Sequence, residues 1–151
     1  VSARTHELER LQHVPVDRAT AFAFFSEPRN LAAITPPWIH FRILSAPVRL
    51  QRGSLLTYRL RLDGVPVRWV TEITDWRPDR SFTDVQRSGP YRSWTHTHRF
   101  VEVDGGTEIY DHVAYEVPGG PFSPLVHRLV SARLDRIFFF RARAIRELLG
   151  A

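Results

Sequence analysis

Between residues 93 and 100 the chain alternates Trp94, His96, His98 and Phe100 with Ser93, Thr95, Thr97 and Arg99. In an extended strand this alternation sets both imidazoles on one face, about 7 Å apart. An imidazole beside a carboxylate keeps one tautomer and a raised proton affinity, which suits proton removal next to a carbonyl or dehydration of an aldol ring. Asp111 sits among the odd-numbered apolar residues Ile109, Val113, Tyr115 and Val117, so it shares a face with them. His96, His98 and Asp111 are therefore the candidate acid–base residues.

Turn chemistry decides how these residues meet. With Asp104-Gly105 as a two-residue turn, His98 lies opposite Asp111; with Gly105-Gly106, Phe100 does and His98 becomes the diagonal neighbour. On the other side, a three-residue loop at Gly89-Pro90-Tyr91 sets Gln86 opposite Trp94, Asp84 opposite His96 and Phe82 opposite His98. Asp84, Gln86, His96, His98 and Asp111 then form one wall. Burying two carboxylates and two imidazoles is costly unless they satisfy one another. Three roles stay open: a self-satisfied hydrogen-bonded network, a set of donors and acceptors that orients a bound molecule, or an acid–base pair. His-X-His with an acid could also supply three metal ligands, but neither a metal nor a cofactor is expected. His6, His13, His40, His112 and His127 show no convergent spacing.

The elements that must carry this wall are legible upstream and downstream. Residues 4–14 read as a first strand. Asp17 caps a short, nearly all-apolar helix that Pro28 stops, and a second short helix covers about 29–34 before Pro36-Pro37 and Trp38. A meander follows, with strands at 40–48 and 56–62 and an Asp63-Gly64 hairpin that pairs Leu62 with Val65 and Tyr58 with Trp69. Trp69 and Ile73 continue the inner face. A last helix opens at Ser123 or Pro124 and runs to about Leu149, roughly 37 Å, enough to cross a curved sheet. Its apolar stripe is placed on Leu125, Leu129, Leu134, Phe138, Ala142, Ile145 and Leu149. The predicted fold is α+β: a curved antiparallel sheet of about seven strands, two short helices after the first strand, and a long C-terminal helix over a cavity.

Composition narrows the function class. At 151 residues with 43% apolar content, one domain over 1–151 is the default. Cys is absent, which excludes a disulfide framework and thiol chemistry. The net charge of +5 rests on Arg alone, since the chain has no Lys, and the basic residues form no stripe. Nucleic-acid binding is therefore not expected. No apolar run reaches the length of a membrane span, so a soluble, cytoplasmic protein without stable membrane insertion is expected. Phe138, Phe139 and Phe140 cannot all face the sheet; with Arg136, Arg141 and Arg143 near them they leave room for a homodimer or a surface contact.

Several segments carry a family resemblance: residues 15–25 followed by Glu27-Pro28-Arg29-Asn30-Leu31, then Ile34-Thr35-Pro36-Pro37-Trp38, the run 84–100, and the run 111–120 from Asp111-His112 to Gly119-Gly120. Together they resemble the START-like (SRPBCC, helix-grip) superfamily, and within it the polyketide cyclase/dehydrase-type ligand-binding proteins, in a bacterial subgroup of uncharacterised members. The resemblance implies an internal cavity for a lipid, quinone or polyketide-like molecule. Expected on its wall are Tyr58, Trp69, Ile73, Asp84, Gln86, Trp94, His96, His98, Phe100, Asp111, Val113, Tyr115 and Phe138, with Trp38 beside them. The alternatives are a cyclase or dehydratase using the His/Asp pair, and a partner-binding domain whose cavity is incidental.

Overall fold

A computed structural model describes residues 4–150. The chain begins with β1 (His6–Val14), then α1 (Arg18–Phe25) and α2 (Pro28–Ala33), and a 3-10 turn at Pro37–Ile39. Asp17 caps α1 by accepting the Thr20 N–H at 2.7 Å, the role its short carboxylate suits. Pro28 ends the first helix and also opens the second, where its missing N–H costs nothing.

Six further strands complete the sheet: β2 (Arg42–Ser45), β3 (Leu55–Leu62), β4 (Val65–Arg77), β5 (Ser81–Ser88), β6 (Ser93–Val103) and β7 (Gly106–Glu116). All pairings are antiparallel, in the order β1-β7-β6-β5-β4-β3-β2. The meander therefore returns its last strand to the first one. Asp63-Gly64 forms the expected hairpin, with Leu62 against Val65 and Tyr58 against Trp69. The strand expected over 40–48 is shorter. His40 takes a left-handed conformation at the end of the 3-10 turn, and the strand has only four residues, three of them paired around a bulge at Leu44, before Ala46-Pro47 turns the chain away.

The long helix α3 (Ser123–Leu148) crosses the concave face, about 39 Å of helix. Its buried side chains are Val130, Leu134, Phe138, Arg141, Ala144 and Ile145. Leu125 and Leu129, expected on that stripe, are 58% and 65% exposed, because the contact face runs through Val126 and Val130 instead. Of the three consecutive Phe residues, Phe138 is buried, Phe140 is half-buried and Phe139 faces out.

The core falls into two apolar clusters. One gathers Phe22 and Phe25 of α1 with Ile73, Phe82, Phe100, Ile109 and Ile145. The other gathers Leu60, Trp69, Tyr91, Trp94, Val113 and Tyr115 with Leu134 and Phe138 of α3. Tyr58 packs against both.

Candidate functional site

Strands β5, β6 and β7 bring the predicted polar residues together. The two-residue turn at Asp104-Gly105 sets His98 opposite Asp111, and on the other side Phe82 lies opposite His98 and Asp84 opposite His96. The hydrogen bonds run diagonally across these pairs. His96 Nε2 is 2.7 Å from Asp111 Oδ1, and His98 Nε2 is 2.7 Å from Asp84 Oδ2. His98 Nδ1 approaches Asp111 Oδ1 to 3.4 Å, a charge contact without hydrogen-bond geometry. The two imidazoles stack, with ring centroids 3.7 Å apart, and Phe82 stacks on the far side of His98 at 4.0 Å.

A fifth member comes from α3. Arg141 Nη2 donates to Asp111 Oδ1 at 3.2 Å, and its guanidinium carbon lies 5.4 Å from the Phe25 ring centre and 5.7 Å from that of Phe138. The residue is only 7% exposed. Sequence reading grouped it with the surface arginines Arg136 and Arg143. The spacing held the signal: Arg141 stands three residues after Phe138 and four before Ile145, on the buried stripe. A buried Arg demands a partner, and Asp111 supplies it.

These neighbours set the protonation states. Burial would raise the Asp111 carboxyl, but the charge of Arg141, the hydrogen bond from His96 and the closeness of His98 hold it well below the usual carboxylate range. Asp84 likewise resists its burial through the His98 hydrogen bond and the nearby positive groups, and is lowered. Burial and the neighbouring His98 lower the proton affinity of His96. For His98 burial pulls downward too, yet contacts with both Asp111 and Asp84 raise it. One imidazole therefore favours the neutral form and the other the charged form.

Next to this group lies a cavity of about 190 Å³. Tyr58, Trp69, Ile73, Asp84, Trp94, His96, His98 and Phe138 of the expected wall line it, joined by Arg141, Phe25, Leu56, Thr71 and Tyr91, with Pro28, Asn30 and Leu31 of α2 at its edge. Gln86, Phe100, Asp111, Val113 and Tyr115 are not among the lining residues. Each is engaged elsewhere. Gln86 clamps the 86–91 loop, accepting from the Tyr91 N–H at 3.1 Å and donating to the Tyr91 carbonyl at 2.8 Å. Phe100 packs under α1 against Phe22 and Phe25. Asp111 sits behind the imidazoles, and Val113 is fully buried in the second cluster. The Tyr115 hydroxyl meets His127 Nε2 at 3.1 Å, and His127 stacks on His6 at 3.4 Å, so two histidines without convergent spacing in the sequence do meet. Trp38 is 52% exposed and packs on Phe140, away from the cavity.

Asp84, His96 and His98 each offer one ligand atom within 4.8 Å of the others, the only such set among the described residues. Both Nε2 atoms are already engaged by carboxylates, and Arg141 adds a positive charge close by. That arrangement favours protons over a divalent ion. Among the described residues, no helix is long and apolar enough to cross a membrane.

Comparison with known proteins gives the family. The model of the polyketide cyclase/dehydrase and lipid transport family matches residues 14–138. No curated protein matches the chain. Among solved structures, Zhui aromatase/cyclase from Streptomyces sp. R1128 superposes with a TM-score of 0.78 at 14% identity, covering 97% of this chain and 94% of that one. Protein Ms6760 from Mycobacterium smegmatis gives 0.72 at 18%, covering 99% and 96%. Ginseng major latex-like protein 151 from Panax ginseng gives 0.70 at 17%, covering 97% and 99%. At these identities the structures bear on the fold alone. With an antiparallel sheet gripping one long helix and a family match across most of its length, the chain belongs to the polyketide cyclase/dehydrase and lipid transport family of START-like, helix-grip proteins.

Proposed function

We propose that this protein binds a small hydrophobic or amphipathic molecule in the cavity between the sheet and α3, and does so in the cytoplasm. The observation that carries the reading is the cavity's composition: an aromatic and aliphatic lining with the polar group of Asp84, His96, His98 and Arg141 at one wall. Burial of apolar surface supplies affinity at about 25 cal/mol per Å². The polar wall fixes orientation, because its side chains are held by one another before any ligand arrives.

Native mass spectrometry of the purified protein tests this directly. A retained small molecule, or saturable uptake of an apolar probe such as naphthalene, is the expected result. A protein that carries nothing and takes up no apolar probe would overturn the reading.

A second reading, ring closure or dehydration, draws on one feature. His96 lines the cavity and favours the neutral form, and its Nε2 is turned to Asp111, which leaves Nδ1 as the proton acceptor. Under this reading Asp111 is a positioning residue behind His96. His96→Gln should then lower kcat on a polyketide-like substrate while leaving KM nearly unchanged.

A further inference from the structure

A guanidinium carries five N–H donors. The fold uses one of those on Arg141, the Nη2 bond to Asp111, and its Nε is buried without a partner. Few other polar groups of the lining are unspent. Asn30 donates to the Phe24 carbonyl, Thr35 to the Leu31 carbonyl, Thr71 to the Val85 carbonyl, and Asp84 accepts from His98. Trp69 Nε1 is buried without a partner, and it too is a donor. Among the described residues, the buried lining atoms without a partner are Arg141 Nε, Trp69 Nε1 and His98 Nδ1. The first two are always donors and the third is a donor when His98 is charged, so acceptor oxygens answer most of the unmet demand.

Charge points the same way. Three groups that can carry a positive charge, His96, His98 and Arg141, face two carboxylates, Asp84 and Asp111. With His96 neutral, the charges of His98 and Arg141 match the two carboxylates; a proton on His96 leaves the group one positive charge in excess. Tyr58 and Tyr91 belong to the same lining and are held protonated, chiefly by burial, and the Glu27 carboxylate on the lining is paired with Arg29. A monoanion that enters together with a proton on His96 keeps the balance, whereas a divalent cation would upset it.

Size and shape add a limit. About 190 Å³ is modestly larger than the ~150 Å³ cavity that takes a benzene ring. The lining presents Phe25, Phe82, Trp69, Trp94 and Phe138, and flat rings pack well against such faces. Arg141 is itself held between Phe25 and Phe138, so its charge is positioned in advance.

On the reading that the cavity is a ligand site, we infer that its ligand is a flat monoanion. It has one or two fused rings and carries a carboxylate or an ionised phenol whose oxygen docks on the Arg141 guanidinium. Arg141 is then the residue that sets specificity, and neutral lipids, which leave its donors unmet, are disfavoured.

The test titrates the 151-residue protein with 2-naphthoate, with the neutral 2-naphthalenemethanol and with naphthalene. Fluorescence of Trp69 and Trp94, which line the cavity, reports binding. Wild type should bind the acid at least about tenfold tighter than the alcohol, as an ionic hydrogen bond to a buried guanidinium implies. Arg141→Gln should bring the acid down to the alcohol's affinity, and Arg141→Lys should keep part of the preference. Equal affinity for acid and alcohol in wild type, or a preference that survives Arg141→Gln, overturns the inference while the cavity reading stands. Failure of all three probes overturns both. If Arg141→Gln does not fold, the wild-type comparison and the Arg141→Lys titration decide alone.

Discussion

Asp111 lies directly across the ladder from His98, yet it takes its short hydrogen bond from His96, the diagonal neighbour. Asp84 does the mirror of this: it lies opposite His96 and bonds to His98. The two diagonals pull the imidazoles over one another into a stack and free one edge of the group for Arg141. Three strands and the long helix thus share a single buried charge group.

Asp111 is the hub, so its loss should cost most. Asp111→Asn leaves the buried Arg141 charge without its carboxylate and should destabilise the protein by about 3–5 kcal/mol. Asp84→Asn should cost less, since Asp84 keeps 18% side-chain exposure against 9% for Asp111 and meets no guanidinium. Urea unfolding of the two variants checks the order.

Stability should peak near neutral pH and fall on both sides. His98, with its proton affinity raised, contributes fully below about pH 6.5, and that contribution is lost as pH rises through its folded value. His96 is lowered, so its contribution is present above about pH 6.5 and lost as pH falls through its folded value. His6, lowered chiefly by burial and then by His127, adds to the acid side. Asp84 and Asp111, both lowered, lose their contributions only further down, below about pH 4. Thermal unfolding from pH 5 to pH 9 should show the peak, and His98→Asn should remove the alkaline decline. A flat profile above pH 6.5 in wild type would contradict this.

Gln86 should behave as a turn residue and not as part of the site. Gln86→Ala removes both bonds to the Tyr91 backbone and should cost about 1–2 kcal/mol. Naphthalene affinity should stay within about twofold of wild type, because Gln86 is not on the lining. Any side chain at Gly89 should do similar damage, since an added Cβ there would meet the Gln86 amide oxygen at 2.5 Å.

Parity and turn chemistry made the sheet readable. Asp63-Gly64 fixed one register, Asp104-Gly105-Gly106 left two of which the sheet takes the Asp104-Gly105 one, and inward alternation put Trp94, His96 and His98 on the concave face. Parity says which face a residue shares, but not how deep it lies. Asp111 and Val113 face inward and still stop short of the cavity, because the imidazoles and α3 stand in front of them. Gln86 was misplaced for another reason: the ladder between β5 and β6 ends at Val85 and Thr95, and the amide turns to its own loop. Arg141 was missed because charge usually marks the solvent face of a helix, and here the charge answers a buried carboxylate. The phase of α3 followed from the same oversight, as Leu125 and Leu129 drew the stripe one position away from Val126 and Val130.

The diagonal pairing also guards the sheet against a fault that hydrophobic patterning cannot detect. A slip of β6 along β7 by two residues keeps every inward side chain inward, so apolar burial alone barely opposes it. Such a slip would set Asp111 opposite Phe100 or His96 and carry His96 out of the diagonal position from which it bonds Asp111. Either the carboxylate or one imidazole then loses its native partner while Arg141 stays fixed on α3. Buried carboxylates without partners are far costlier than a mismatched Val. The charge group therefore acts as a key that admits one alignment of three strands, and a chain folding in any other keeps its acids in water until it finds that one.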